Sequence, residues 1–399
     1  MSKRLLIAGA GANQIGIIRH AVRLGLRVIA VDGSAHAPGL AEASEHAVAD
    51  IANGEALLAI ARAYKVDGIF PAAEWGVEAA AYATELLGLP GPSRAAARCL
   101  RSKYALRNAM AGAGLPVPSY VMAATLAEAV EGAGHIGLPV IVKPADGNAS
   151  RGVQRVDYIE DVSLAFANAQ KAARNGQVLL EAFLHGPEFN VDGIMHQGRC
   201  LVGGITGKEL SDNQYRYDMG IYMPPRLDHE TQQQIGDCVG LALQALGVDT
   251  GIFHGEVILT PQGPRIVEIA GRPGGGRIPS DLIPLTYGVD FLADAFRVVL
   301  GEKPSESRRF ERGAALYWIP SHSGIVTAIE GVEEAAAMEG VVDIVVNVKP
   351  GDALGHVVDC VTRDSIGYVL AAGGNVEESI ARAESAAHTI RIVTQPHLA

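Results

Sequence analysis

Glu256 and Glu268 lie within HGEVILTPQGPRIVEIAGRPGGGR, residues 254–277. Pro261, Gln262, Gly263 and Pro264 read as a turn between two short strands. In an antiparallel pair the numbers of facing residues sum to a constant, and a turn centred near 262 puts Glu256 about opposite Glu268. Like charges directly opposite one another destabilise a sheet. A divalent cation between them removes the repulsion, and hard carboxylate oxygens suit Mg²⁺ held together with substrate phosphates. Taken alone, the stretch also fits two solvent-facing glutamates on an edge hairpin. His254 falls on the same strand face as Glu256, either as a base or hydrogen-bond partner or as a packed histidine. Beyond the hairpin, Arg272, Gly274, Gly275, Gly276 and Arg277 make a basic, Gly-rich turn suited to a carboxylate or a leaving phosphate.

A second stretch, LPVIVKPADGNASRGVQRV (138–156), runs from a strand into Lys143 and then into a loop with Gly147, Asn148, Ser150 and Gly152. Backbone N–H groups in such a loop can wrap a polyphosphate, and the preceding lysine adds a point charge. The lysine precedes the glycines and a strand follows them, so this is not a GxxxxGK[ST] loop. It reads as a hairpin flap, or as an ordinary Gly-rich turn. Glu74 ends the strand expected over 66–75. It is a substrate contact there, because ligands of parallel sheets bind beyond the strands' carboxyl ends, or an acid at a helix start.

Positioning these residues requires several βα units. RLLIAG (4–9) reads as a buried parallel strand, Ile15, Ile18 and Val22 mark one face of a helix, and LRVIAVD (26–32) is a second strand ending in an acid. The glycines are Gly9, Gly11 and Gly16, and the sixth position of the dinucleotide fingerprint is Gln14. A nucleotide-type fold is expected there more than bound NAD, and an NAD-dependent oxidoreductase is one competing reading. LGLPGPS (87–93) closes a first domain, 1–93. Residues 94–110 read as a helix holding Lys103, within a central domain 94–301. SDNQYRYDMGIYMPP (211–225) reads as a covering loop, and 229–248 as a helix. From 302 to 399, short strands and two helices form a C-terminal α+β domain read as structural. The fold class is α/β and α+β, multidomain.

The formal net charge of -11 argues against general nucleic-acid or anionic-membrane binding. No run approaches the roughly 18 apolar residues of a membrane span, and the N-terminus lacks a signal-peptide pattern. Cys99, Cys200, Cys238 and Cys360 are too scattered for a zinc site or a disulfide framework. A cytoplasmic location is expected, with buried reduced thiols.

Lys103, Lys143 with its flap, the acid-bearing strand 178–188 and the Glu256/Glu268 pair occur in one order, and that order resembles the ATP-grasp superfamily of ligases. The resemblance covers the whole chain, including a Rossmann-like N-terminal domain, and implies a lid subdomain over about 113–183 of the central domain. The EIAGRPGGG tail is most similar to the carboxylate–amine ligases, among them the L-amino acid ligases. The resemblance implies ATP and Mg²⁺, with Mn²⁺ as an alternative, small-molecule acid and amine substrates, and a homodimer. It implies that Lys103 and Lys143 contact the ATP phosphates, that Gly147, Ser150 and Gly152 close over them, and that Glu181, Phe183 and Leu184 line adenine. Glu188 would take the ribose hydroxyls, Glu256 and Glu268 the metal, and Arg272 the carboxylate substrate or its acyl phosphate. Ala270 stands where many members carry Asn, which removes a ligand for a second Mg²⁺. Bicarbonate activation, a purine-pathway step and a non-catalytic ATP-binding protein are the alternatives within the fold.

Overall fold

Buried strands at the N-terminus build a parallel sheet in the order Glu45–Val48, Arg27–Asp32, Arg4–Ala8, Gly68–Pro71. Its central residues, Leu5 to Ala8 and Val28 to Val31, are wholly buried, as expected when helices cover both faces. The helices are Ile15–Arg23, Gly54–Tyr64 and Val77–Leu87. Gly9 has φ +107°, and a Cβ there would lie 2.6 Å from that of Ala73, so the first turn requires glycine. The computed structural model describes residues 2–305 and 308–396 and divides into two compact units. The first comprises residues up to 117, 190–205 and 227–309. The second comprises 118–189, 206–226 and 310 onward.

In the first unit the region expected as one helix over 94–110 is two, Arg94–Arg101 and Lys103–Gly112. Ser102 breaks it: its backbone is extended, and its hydroxyl accepts from the Ala105 N–H as an N-cap. Lys103 therefore opens the second helix. The strand bearing Glu74 is also shorter than expected. It ends at Pro71, and Glu74–Gly76 form a single 3₁₀ turn. The hairpin Gly251–Thr260/Gly263–Ala270 packs beside the helix His229–Ala245.

The second unit contains an antiparallel sheet in the order Tyr120–Ala123, Val178–Ala182, Val140–Pro144, Gln154–Val156. Alternation sorts its faces: Val140, Val142, Val178 and Leu180 pack with Ala129 and Ala133 of helix Leu126–Ile136 and Val162, Ala165 and Ala169 of helix Val162–Ala172. Lys143 and Glu181 share the opposite face. The segment 211–225 is not all loop, because Asp218–Met223 is a strand pairing with Gly313–Trp318. Glycines and aromatics conceal it in the sequence. Tyr222 lies against Gly207 and Tyr317 against Gly220, where any Cβ would meet the ring. The strands and two helices expected after residue 302 are present, and a short helix, Cys360–Asp364, joins them. Among the described residues no helix is long and apolar enough to cross a membrane.

Candidate active site

The hairpin's turn is two residues, Pro261 and Gln262, shorter than the sequence reading. The Thr260 hydroxyl closes it, donating to the Gly263 carbonyl (2.8 Å) and accepting from the Gln262 N–H. Pro264 is tolerated because its strand lies at a sheet edge. From this turn the ladder runs regularly to the pair Val257/Ile266, where a bulge intervenes. Beyond it Glu256 faces Glu268, Gly255 faces Ile269 and His254 faces Ala270. The opposed carboxylates expected from the sequence are present, but the bulge creates them. The Lys103 ammonium stands 2.7 Å from Glu268 Oε2.

Two carboxylates on facing strands fit Mg²⁺ by donor type, since this ion takes one or two protein carboxylates and completes its shell with phosphate oxygens and water. No group of three or more His, Cys, Asp or Glu side chains suited to a metal occurs among the described residues. The donor set thus fits a metal carried with nucleotide better than a permanent all-protein cage.

His254 Nδ1 lies 3.0 Å from Asp192 Oδ2, and the Gly274 N–H donates to Asp192 Oδ1 at 2.8 Å. Asp192 is wholly buried. A Cβ on Gly274 would come within 2.6 Å of both partners, so only glycine lets the turn approach them. Sequence reading missed Asp192. Its one signal is an acid in the middle of the strand Glu188–His196.

Glu74 is buried, and each of its oxygens holds an arginine: Oε1 takes Arg101 at 2.7 Å and Oε2 takes Arg272 at 2.6 Å. Glu74, read from sequence as a substrate contact or as an acid at a helix start, stands at the start of the 3₁₀ turn, and both of its oxygens engage guanidinium groups. Burial opposes the Arg272 charge, yet Glu74, with Glu268 and Asp192, holds its pKa above the ordinary value. Arg277 grips Asp281 through two N–H groups (2.9 and 2.7 Å), whereas Gly275 faces open space. The basic turn therefore has one arginine spent on its own helix and another held by Glu74.

In the second unit the Lys143 ammonium lies 2.6 Å from Glu181 Oε2, with both side chains almost fully buried. The Phe183 N–H donates to the Pro139 carbonyl, and the ring lies beneath the guanidinium groups of Arg155 (4.4 Å) and Arg216 (5.3 Å). Leu184 is half-buried in the same connecting segment. Glu188 Oε1 pairs at 2.6 Å with Lys208, a buried lysine the sequence reading passed over. Lys208 follows a glycine within a long strand, and nothing in that spacing marks it. It reaches Asp218 at 3.5 Å, and Arg363 reaches the other Asp218 oxygen at 3.3 Å. Burial disfavours the Asp218 charge, but Lys208 and Arg363 together keep its pKa below the ordinary range. The flap tip has Ala149 and Ser150 at positive φ. It meets the helix Cys360–Asp364, whose first N–H donates to the Ala149 carbonyl at 3.2 Å. The Cys360 thiol faces the Ser150 hydroxyl (3.7 Å), and burial pushes this thiol's pKa up to about 11. The C-terminal region, read from sequence as structural only, thus touches the flap.

The chain matches family models for an ATP-grasp N-terminal domain over 18–91, an ATP-grasp domain over 136–281 and an L-amino acid ligase C-terminal domain 2 over 316–395. It is 30% identical over 371 residues to the uncharacterized protein y4rH of Sinorhizobium fredii, covering 90% of this chain and 76% of that one. It is 25% identical to the formate-dependent phosphoribosylglycinamide formyltransferase of Marinobacter nauticus, covering 98% of this chain and 97% of that one. The crystal structure of L-amino acid ligase from Bacillus licheniformis is similar to it with a TM-score of 0.85 at 25% identity, covering 99% of each chain.

Proposed function

The chain belongs to the ATP-grasp family of ATP-dependent ligases, and on that premise we propose that it joins a carboxylate to an amine, forming an amide or dipeptide bond between amino acids with release of ADP and phosphate. The observation that carries this reading is the opposed pair Glu256 and Glu268, within the same unit as the Arg272–Glu74–Arg101 cluster. One is a donor set for a divalent cation, the other a guanidinium held ready for an anion. The L-amino acid ligase match at the C-terminus supports the choice of amine as acceptor.

In the first step a carboxylate oxygen of the acid attacks the γ-phosphorus of ATP, the bond to the β,γ-bridging oxygen breaks, and ADP leaves. In the second the amine nitrogen attacks the acyl carbon, the carbon–oxygen bond to phosphate breaks, and phosphate departs with the electron pair while the amine loses a proton. Glu256 and Glu268 would hold Mg²⁺, which when bound would supply positive charge to offset that on the transferring phosphoryl group. Lys143 and Lys103 are assigned to the phosphates, each exchanging its present carboxylate for a phosphate oxygen. Gly147, Ser150 and Gly152 of the flap shield them from water. Glu181, Phe183 and Leu184 line the base, and Glu188 takes the ribose hydroxyls. Arg272 binds the acid, with Glu74 fixing its orientation. His254, Gly275 and Arg277 border the substrate.

Similarity to the formate-dependent formyltransferase favours a second reading, activation of a small acid for a purine-pathway acceptor. A phosphate-release screen of amino acid pairs with Mg-ATP, followed by mass spectrometry, separates the two. A product whose mass is the sum of two amino acids less water supports the proposal. ADP formation with formate or bicarbonate, and none with any amino acid pair, contradicts it.

A further inference from the structure

Arg107 is wholly buried, and its Nη2 donates to the carbonyl of Val267 at 2.8 Å. A buried charge is costly unless hydrogen-bonded, so its place in the first unit calls for a physical reason. Val267 is the additional residue of the bulge between the pairs Val257/Ile266 and Glu256/Glu268. We propose that Arg107 is a positioning residue for the metal site, holding the bulge that makes Glu256 and Glu268 face one another. The inference rests on the metal role given above to those two acids.

Register shows what the bulge does. Continued without it, the ladder that pairs Thr260 with Gly263 and Val257 with Ile266 would put Glu256 opposite Val267. Glu268 would then pair with Gly255 and project from the other face of the sheet, because a one-residue slip reverses every side chain. The extra residue of a bulge interrupts the ladder, and here Arg107 takes up its carbonyl. Lys103 and Arg107 are four residues apart on the helix Lys103–Gly112 and so share a face. That face grips two successive residues of the strand, Val267 through its backbone and Glu268 through its carboxylate.

The test compares ADP affinity with Mn²⁺ and in EDTA by calorimetry, a ratio that a general loss of packing does not move selectively. In the unsubstituted protein Mn²⁺ should tighten ADP binding. In Arg107→Met the gain from Mn²⁺ should fall by about 10–100-fold, the range for lost supporting contacts at metal sites, while ADP affinity in EDTA stays within about twofold. Deleting Val267 removes the bulge yet leaves Glu256 opposite Glu268, so Arg107→Met with that deletion should recover the gain. A manganese effect undiminished in Arg107→Met, or not recovered by the deletion, overturns the role of Arg107. Should Arg107→Met fail to fold, the deletion alone decides, since it must keep the gain. No manganese effect in the unsubstituted protein would instead overturn the metal reading, and the proposal with it.

Discussion

The carboxylate hairpin of the first unit and the buried lysines of the second place charge in different ways. On the hairpin two glutamates oppose one another across facing strands, and Lys103 contacts one of them. In the second unit Lys143 pairs with Glu181, and Lys208 with Glu188. Two like charges brought face to face gain from a cation between them. A lysine already paired with an acid accepts an anionic phosphate only when it changes partner. Under the proposed function the facing acids hold a metal and the lysines hold phosphates, and each role should fail in its own way.

The sharpest break in this contrast is Glu268→Gln, which keeps the shape and removes one of the two charges. Turnover, measured as ADP release with the amino acid mixture, should fall by on the order of a hundredfold or more, and raising Mg²⁺ should recover part of it. Near-normal turnover would dissolve the distinction between the regions. Lys143→Ala comes next. Nucleotide affinity should drop by about tenfold or more, as for loss of a charge-assisted bond. Stability should also fall by about 3–5 kcal/mol because Glu181 is left buried without its ammonium. Replacing both, Lys143→Met with Glu181→Met, should restore most of the urea midpoint while nucleotide affinity stays low, dividing structural from binding loss.

Glu74→Gln tests the arginine cluster. It releases Arg101 and Arg272 from their shared anchor, so the KM for the acid should rise by roughly tenfold with a smaller change in kcat. An unchanged KM would remove Arg272 from acid binding. The smallest effect is expected at Asp218. Its pKa is lowered in the fold, so its contribution is present at neutral pH and disappears as acid carries it through that lowered pKa. Asp218→Asn should be less stable than the parent at neutral pH, and the gap should close on acidification. A gap that widens in acid would contradict the pairing with Lys208 and Arg363.

Much of the hairpin was legible in the sequence because the alternation of a strand and the chemistry of a turn are local. The facing of Glu256 and Glu268 followed from a turn centre placed slightly too far along the chain. The real turn is tighter, and a bulge makes up the residue. Bulges leave no reliable mark on composition, which is why Arg107 and Val267 escaped notice. Ser102 was legible in principle as a cap, but the helical run on both sides hides one break. The strand Asp218–Met223 was missed because aromatic-over-glycine packing depends on a partner strand far along the chain. Asp192 and Lys208 derive their meaning from His254 and Glu188, partners that only the fold supplies. The Cys360 helix against the flap is of the same kind.

The most direct test of the account is a crystal grown with ADP and Mn²⁺ and examined by anomalous scattering. A manganese peak coordinated directly by the carboxylates of Glu256 and Glu268 and by a phosphate oxygen is expected. A manganese ion bound elsewhere, or those two side chains turned away from one another, would contradict it.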